Sequence, residues 1–213
     1  MAFFQQRPQM SDTLKYVTFG QQKNVLLVGL GNPSEEYDGT RHNIGFACLD
    51  RFVASQEEMQ PWIDKKDFKC LLSSGQLGET RVIAIKPTTY MNLSGEAVQA
   101  VAHFYKIDPQ HIVAVYDDID VSFGQIRTRM GGGSAGHNGV KSVIQHIGED
   151  FGRVRVGIGP KLHEQQDSAD FVLARFTAEQ QAQMKNLTQE SIAILTEYIY
   201  ASQLPHETRN FIV

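Results

Sequence analysis

A histidine and several amides follow the first apolar run of the chain. Residues 25–31 (VLLVGLG) are typical of a buried strand that ends in a loop. Imidazole takes up a proton near neutral pH, which makes His42 the candidate general base of this loop. A helix cap formed by Asn43 or Thr40 is the alternative use of this segment. The loop is unusually dense in polar side chains, namely Asn32, Tyr37, Arg41, His42 and Asn43.

An acidic cluster ends a second apolar run. The run 112–116 leads into three acids, Asp117, Asp118 and Asp120. The carboxyl ends of parallel strands meet at one edge of an α/β sheet, so Asp117 is placed to orient the imidazole of His42. The alternative is that the three carboxylates chelate a hard cation, but the sequence has no EF-hand-like loop of alternating acids. We therefore expect a histidine–carboxylate pair and no metal.

Two further segments carry amides beside glycines or apolar side chains. Asn92 follows Tyr90 and Met91 and precedes a predicted helix, so its side chain either caps that helix or donates to a substrate carbonyl. Four glycines lie within residues 131–136, where the backbone lets a ligand approach closely, and Asn138 follows them. The sequence leaves both uses of these amides open.

The glycine-containing loops do not match the nucleotide-binding fingerprints. In residues 29–34 (GLGNPS), Ser34 stands where the dinucleotide fingerprint has its third glycine, and Pro33 removes a backbone N–H. The glycine-rich run is followed by His137 and Asn138 rather than by the Lys-Ser of a P-loop. We therefore expect neither a dinucleotide nor ATP as a cofactor.

Positive charge is concentrated in residues 121–160. The whole chain has a net charge of −4, but this segment has five basic and two acidic residues, a local net charge of +3. Residues two apart on a strand face the same side, which suits contact with phosphates, although charged strand faces are often merely solvated. The basic residues are Arg127, Arg129, Lys141, Arg153 and Arg155.

Alternating strand and helix patterns predict the scaffold for these clusters. Predicted strands cover 25–31, 68–77, 81–85, 111–116, 124–130 and 154–158, and predicted helices cover 46–53, 93–104, 140–147 and 178–200. This order predicts the α/β class, as a single-domain three-layer sandwich with a twisted, mostly parallel mixed sheet flanked by helices.

Composition and length limit the class of protein further. A chain of 213 residues that is 41% apolar fits one domain with a substantial core. Residues 1–23 lack an apolar period and are expected to form a flexible extension to a domain that spans 24–213. We find no membrane-length apolar run and no secretory signal, and Cys48 and Cys70 lack disulfide or zinc-site spacing. A cytoplasmic location is therefore expected.

Four blocks of sequence resemble the bacterial-type peptidyl-tRNA hydrolase family. The similarity extends over about residues 24–203. It implies an enzyme without metal or cofactor that hydrolyses the ester between a peptide, or an N-blocked amino acid, and the terminal ribose of tRNA. Such an enzyme recycles tRNA from peptidyl-tRNA that stalled ribosomes release. The blocks are 28–33 with 40–45, 87–95, 117–120 and 131–139.

The resemblance also implies a role for each matching residue. His42 would be the general base, Asp117 would hold its ring, and Asn92 is the candidate to stabilise the developing oxyanion. The expected substrate-binding residues are Asn32, Tyr37, Met91, Asn92 and Asn138. The expected tRNA-binding residues are Arg127, Arg129, Lys141 and Arg155. We expect a monomer whose partner is peptidyl-tRNA, with no membrane contact.

Two other classes compete with this interpretation. A non-catalytic RNA-binding protein on the same fold would keep the basic residues but would not need His42 together with Asp117 and the three asparagines. A metal-dependent peptidase or phosphatase would be inhibited by chelators, which the hydrolase hypothesis does not predict. The chain departs from the family pattern at Ser134 and Ala135 and in the loop after Gly159. The sequence therefore does not determine the shape of the substrate-binding groove at these two places.

Overall fold

An eight-stranded mixed sheet forms the middle layer of the fold. In the computed structural model, which describes residues 23–160 and 167–212, the strand order is β2-β3-β4-β1-β5-β7-β6-β8. The four central strands β4, β1, β5 and β7 run parallel, and the outer strands pair antiparallel. The strands are β1 (Lys23–Gly29), β2 (Ile63–Lys65), β3 (Cys70–Leu77), β4 (Thr80–Pro87), β5 (Ile112–Ser122), β6 (Gln125–Met130), β7 (Gly152–Gly159) and β8 (Glu207–Asn210).

Helices cover both faces of the sheet. Helices α1, α4 and α6 pack on one face, and α2 and α3 pack on the other. Short 3-10 turns precede two helices, Arg41–Asn43 before α1 and Met91–Leu93 before α2. The helices are α1 (Ile44–Ser55), α2 (Ser94–Tyr105), α3 (Asn138–Ile147), α4 (Ser168–Leu173), α5 (Ala178–Ala182) and α6 (Met184–Ala201).

The apolar run of β1 is continuous because helices bury both of its faces. Val25 and Leu27 contact the layer that contains α1 and α6, whereas Leu26 and Val28 contact the layer of α2 and α3. All four side chains are fully buried. Each such burial stabilises the fold by about 1.5–3 kcal/mol relative to exposure. This two-sided core holds the strand ends in fixed positions.

The predicted α/β three-layer sandwich is confirmed, with differences in detail. The predicted helix over 178–200 is two helices, because the chain makes a tight turn at Gln183, whose N–H donates to the carbonyl oxygen of Gln180. No Gly or Pro marks this break, so the sequence pattern did not show it. Strands β2 and β8 and helix α4 were not predicted, since elements of three to six residues carry too little periodicity.

Two expectations fall wholly or mainly outside the described residues. Strand β1 already includes Lys23, and the rest of the expected extension, residues 1–22, is not described. The loop after Gly159 is described only as far as Pro160. Among the residues that are described, no helix is both long and apolar enough to cross a bilayer.

A glycine lets α1 approach the sheet closely. A Cβ atom at Gly45 would lie 2.3 Å from the carbonyl oxygen of Val115 in β5 and 2.6 Å from that of Leu30. No other residue type fits against the backbone at these distances. The start of α1, and with it the turn Arg41–Asn43, is therefore seated at the carboxyl end of β1, against β5.

Candidate active site

The carboxyl ends of the central strands open into a cavity of about 830 Å³. The segment after β1 contributes Asn32 and His42 to its wall, and the segment after β4 contributes residues 90–92. Residues 117–119 of β5 line it as well. The chain passes from β1 to neighbours on opposite sides, and such a switch in strand order is where α/β folds bind ligands. The remaining wall comes from residues 134–138 and from 167–169 and 172–173.

His42 and Asp117 form a buried pair in this cavity. The Nδ1 atom of His42 lies 2.8 Å from Oδ1 of Asp117. The histidine is 9% exposed and the aspartate 2%. A carboxylate accepts, so Nδ1 carries the proton and Nε2 keeps its lone pair. Nε2 of His42 has no hydrogen-bond partner among the described residues, which leaves it available to a water or a substrate.

His137 is a second histidine on the same carboxylate oxygen, and it was not among the predicted site residues. Its Nε2 lies 3.1 Å from Oδ1 of Asp117, and its ring packs 5.0 Å from that of His42. The ring of Tyr116 packs edge-on against the ring of His137. In the sequence, His137 could have been found from its place between a glycine-rich run and a predicted helix, which parallels the place of His42 before α1.

The hydrogen bonds of His137 determine which of its nitrogens carries the proton. Its Nδ1 accepts from the backbone N–H groups of Gly139 and Val140, at 3.1 and 3.2 Å, and so caps α3. Nδ1 is therefore unprotonated, and Nε2–H donates to Asp117. A neutral imidazole has one N–H, so Nε2 cannot offer a lone pair to a metal while Nδ1 caps the helix. The three side chains are close enough to hold an ion, but this bonding does not suit one.

The two imidazoles keep Asp117 ionised. Burial by itself disfavours the charged carboxylate, but the interactions with His137 and His42 hold the pKa of Asp117 well below its usual range. A buried negative charge therefore faces the ring of His42. It stabilises any positive charge that this ring acquires.

Asn32 presents a fixed donor to the cavity. Its Oδ1 accepts from the backbone N–H of Met91 at 2.8 Å, so its Nδ2 group is the end of the amide that remains free. Asn43 fixes the backbone of Asn32 with a pair of hydrogen bonds, at 2.9 and 3.0 Å. Asn43 does not cap α1 with its side chain. The conformation of Asn32 is thus determined from both sides.

Three of the other predicted substrate-binding residues line the cavity. Asn92 and Asn138 are exposed in its wall, and neither amide bonds to another described residue. Asn92 is not a helix cap, since Leu93 occupies that position of α2. Met91 forms a buried apolar part of the wall. Tyr37 is not part of the cavity wall. Its pKa is raised by the charge of Glu36, and then by burial and by Tyr90.

The acids next to Asp117 do not form a cation site with it. Oδ2 of Asp118 lies 2.6 Å from Nε of Arg155, and its Oδ1 accepts from the backbone N–H of Asp120. The side chain of Asp120 is exposed. Successive strand residues point to opposite faces, so the acids are separated rather than gathered.

Four arginines lie on one face of the sheet, the face that α2 and α3 cover in part. Arg127 pairs with Arg155 and Arg129 pairs with Arg153 across the antiparallel strands β6 and β7, so both pairs share that face. Arg127 and Arg129 are partly exposed, and no described residue forms an ion pair with either of them. Lys141 of α3 is exposed and likewise has no ion pair within the described part of the chain.

The other two arginines are already engaged. Arg155 forms the ion pair with Asp118 and its side chain is 15% exposed. Arg153 is fully buried and donates to the carbonyl oxygens of Gly133, at 2.6 Å, and Gly132. Arg153 is therefore not available to phosphates, although it shares a strand face with Arg155. This residue instead holds the glycine-rich segment that leads to His137.

Comparison with protein families gives one match over nearly the whole domain. The family model described as Peptidyl-tRNA hydrolase matches residues 26–211. Similar proteins include the peptidyl-tRNA hydrolase of Lachnoclostridium phytofermentans, which is 44% identical over 157 residues, 73% of this chain and 80% of that protein. The peptidyl-tRNA hydrolase of Synechocystis is 42% identical over 182 residues, 85% of this chain and 90% of that protein.

Comparison with solved structures gives the same result. The crystal structure of peptidyl-tRNA hydrolase from Acinetobacter baumannii superposes with a TM-score of 0.76 at 32% identity. The match covers 86% of this chain and 92% of that one. The similarity therefore extends over most of both chains.

Proposed function

Because the chain belongs to the peptidyl-tRNA hydrolase family, we propose that it hydrolyses the ester between the peptide, or N-blocked amino acid, and the terminal ribose of peptidyl-tRNA. The observation that carries this proposal is the His42–Asp117 pair. It combines a buried carboxylate on one ring nitrogen with an unpartnered nitrogen at the cavity. This arrangement serves general base catalysis with water as the nucleophile.

The reaction starts with proton transfer to Nε2 of His42. A water loses its proton to this nitrogen as its oxygen attacks the ester carbonyl, and the carbonyl oxygen becomes an oxyanion. Asp117 stabilises the imidazolium that forms. When the tetrahedral intermediate collapses, the bond from carbon to the ribose oxygen breaks and His42 returns the proton to that oxygen. The products are a free peptide carboxyl and a free tRNA hydroxyl, and the base is regenerated.

The asparagines supply the oriented donors for this reaction. Asn92, with its free amide in the cavity wall, donates to the developing oxyanion. The Nδ2 group of Asn32 binds the peptide or the terminal adenosine. Asn138 positions the water or the peptide backbone. Neutral ester hydrolysis needs one base and such donors, so no step calls for a metal or a cofactor.

His137 completes the site as a positioning residue. Its hydrogen bond to Asp117, together with that of His42, determines where the carboxylate lies. Since its other nitrogen caps α3, its own position depends on the start of that helix. The geometry of the base is thus tied to both helical layers.

The basic face binds the tRNA backbone. Arg127, Arg129 and Lys141 have charges that no described residue neutralises, which suits contact with phosphates. Arg155 contributes less as long as Asp118 neutralises it. All described residues that line the cavity belong to one chain, and we expect a monomer as the working form. Translation produces this substrate, which supports the cytoplasm as the location of the reaction.

The reaction is tested with a blocked and an unblocked substrate in the presence of chelator. We expect rapid ester loss from N-acetyl-aminoacyl-tRNA, little from aminoacyl-tRNA, and none from either with His42→Ala. Unpaired buried polar groups are penalised, so a site that binds a peptide-like amide rejects a free ammonium. Binding of tRNA without cleavage would instead indicate an RNA-binding protein. Inhibition by the chelator would indicate a metalloenzyme.

The tRNA surface is tested by charge reversal with a matched control. In Arg127→Glu/Arg129→Glu, we expect KM for full-length blocked aminoacyl-tRNA to rise at least about tenfold, and KM for a short blocked aminoacyl-oligonucleotide to rise less than about twofold. The control Arg51→Glu/Lys185→Glu makes the same change in net charge on exposed residues of α1 and α6, in the other helical layer. Equal effects on the two substrates would place the tRNA elsewhere.

A further inference from the structure

Arg41 is a buried cation beside the proposed base, and the proposed mechanism does not use it. It is 6% exposed, and no described carboxylate forms an ion pair with it. Burial lowers its pKa, as expected for a guanidinium removed from water. A charge in such a position is costly unless other groups satisfy it. The groups that satisfy Arg41 therefore indicate what it does.

All of these groups belong to α4 or to the chain just after it. The guanidinium lies over the rings of Phe171 and Phe176, 4.5 and 5.6 Å from their centroids. One terminal nitrogen donates to the carbonyl oxygen of Phe171 at 3.3 Å, and the other donates to Oε1 of Gln180 at 3.2 Å. The backbone N–H of Arg41 donates to the carbonyl oxygen of Ala174.

Helix α4 is too short to be stable without such contacts. It has six residues, whereas isolated helices below about 12 residues are marginal in water. Its position must therefore be determined by the groups packed against it. Besides the Arg41 contacts, an isolated bridge joins Thr40 to Arg175. The segment that carries His42 thus contacts α4 and the residues after it through both Thr40 and Arg41.

The other side of α4 faces the cavity. Val172 and Leu173, together with the residues at the start of the helix, line the cavity, whereas Phe171 points into the core next to Arg41. Gln180 is itself part of a capping box with Thr177, so Arg41 also contacts the start of α5. A shift of this unit would change the shape of the cavity.

We propose that Arg41 is a positioning residue that holds α4 as a wall of the substrate cavity. This inference rests on the proposed function, because it assigns α4 to binding of that substrate. The base does not depend on the Arg41 side chain, since Asp117 holds His42 and the close approach of Gly45 seats the turn. Loss of Arg41 therefore weakens substrate binding more than the chemical step.

The test compares Arg41→Gln and Arg41→Lys with Arg175→Gln, a control at an exposed arginine of the same segment. With a short blocked aminoacyl-oligonucleotide, we expect both Arg41 variants to raise KM about tenfold and to change kcat less than about threefold. Lysine keeps the charge but cannot donate from a planar fork between two rings, so it should not restore KM. The control should match the wild type.

Amide hydrogen exchange gives a readout that does not depend on activity. We expect faster exchange at residues 168–174 in both Arg41 variants, with unchanged protection at residues 112–117 of β5. A fall in kcat at constant KM, restoration of KM by lysine, or unchanged exchange in α4 would each overturn the inference. Failure of the wild type to cleave the substrate would instead reject the proposed function, and the exchange experiment would still test the placement of α4.

Discussion

The turn before α1 and the turn before α3 each place a histidine on the same oxygen of Asp117. His42 contacts Asp117 through Nδ1, and its Nε2 has no hydrogen-bond partner among the described residues. His137 contacts Asp117 through Nε2, and its Nδ1 accepts hydrogen bonds from the first N–H groups of α3. The two rings share a residue type, a partner atom and a cavity. The ring nitrogen that does not contact Asp117 decides the difference between them. In His42 this nitrogen can take a proton from water, whereas in His137 it already accepts hydrogen bonds from α3.

The local backbone explains this difference. Helix α3 begins directly after His137, so its unpaired N–H groups point at the ring. His42 lies within a 3-10 turn, and α1 begins two residues after it. Among the described residues, no backbone N–H donates to its ring. A histidine at a helix start is thus a cap or a base depending on a shift of one or two residues.

The largest effect on kcat is expected when Nε2 of His42 is removed. Glutamine in His42→Gln can still donate to Asp117 but cannot accept a proton from water, so kcat should fall about 10³-fold. Binding of tRNA, measured by filter retention at fixed salt, should remain at the wild-type level because the basic face is untouched. Substantial turnover in this variant would show that another group is the base.

Removal of the shared charge should have the next largest effect. In Asp117→Asn the amide cannot stabilise an imidazolium by its charge, and kcat should fall at least about 10²-fold with little change in KM. Steady-state kinetics with N-acetyl-aminoacyl-tRNA provide the measurement. A loss confined to KM would mean that Asp117 binds substrate rather than orients the base.

His137 should show a smaller effect that can be divided into two parts. His137→Ala removes the cap of α3 and one donor to Asp117, so we expect a loss of about 1 kcal/mol in the free energy of unfolding and about tenfold in kcat. His137→Asn restores a good cap with a side chain too short to contact Asp117. It should recover stability in urea titrations without recovering kcat. Recovery of both stability and kcat would show that His137 acts only as a helix cap.

Acid should weaken the fold through Asp117. Its pKa is lowered in the folded state, so below about pH 5 the unfolded chain takes up a proton that the folded chain does not. This stabilisation is complete above the unfolded pKa and declines as pH falls, by at most about 1.4 kcal/mol per pH unit. Urea titrations between pH 5 and 3 should give a shallower pH dependence for Asp117→Asn. Equal slopes would contradict a lowered pKa.

The sheet and its long elements were predictable because periodicity reports burial. Apolar runs such as that of β1 identified strands buried on both faces, and apolar spacing identified α2, in which Ala97 and Val101 are buried but Phe104 is exposed. Helix α4 has too few residues for a period, and the turn at Gln183 contains no residue that favours it. Such short features depend on tertiary contacts, as the contacts of Arg41 with α4 illustrate.

The candidate site was predictable to the extent that residue type determines chemistry. His42, Asp117 and the asparagines were identified as candidates because bases, carboxylates and amides are recognisable wherever they occur in a chain. His137 has the same residue type as His42, and only the structure shows that its ring contacts Asp117 as well. The sequence pattern did not distinguish Arg153 from Arg127, yet Arg153 is fully buried and Arg127 is partly exposed.

By itself the sequence determined which chemical groups this protein has and, through its periodic apolar residues, the α/β class that carries them. The tertiary structure alone decided which nitrogen of each histidine is free, which arginines have partners, and that α4 closes one side of the cavity. The physical reason is that apolar burial follows local patterns, whereas a hydrogen bond depends on atoms brought within about 3 Å of each other by distant parts of the chain.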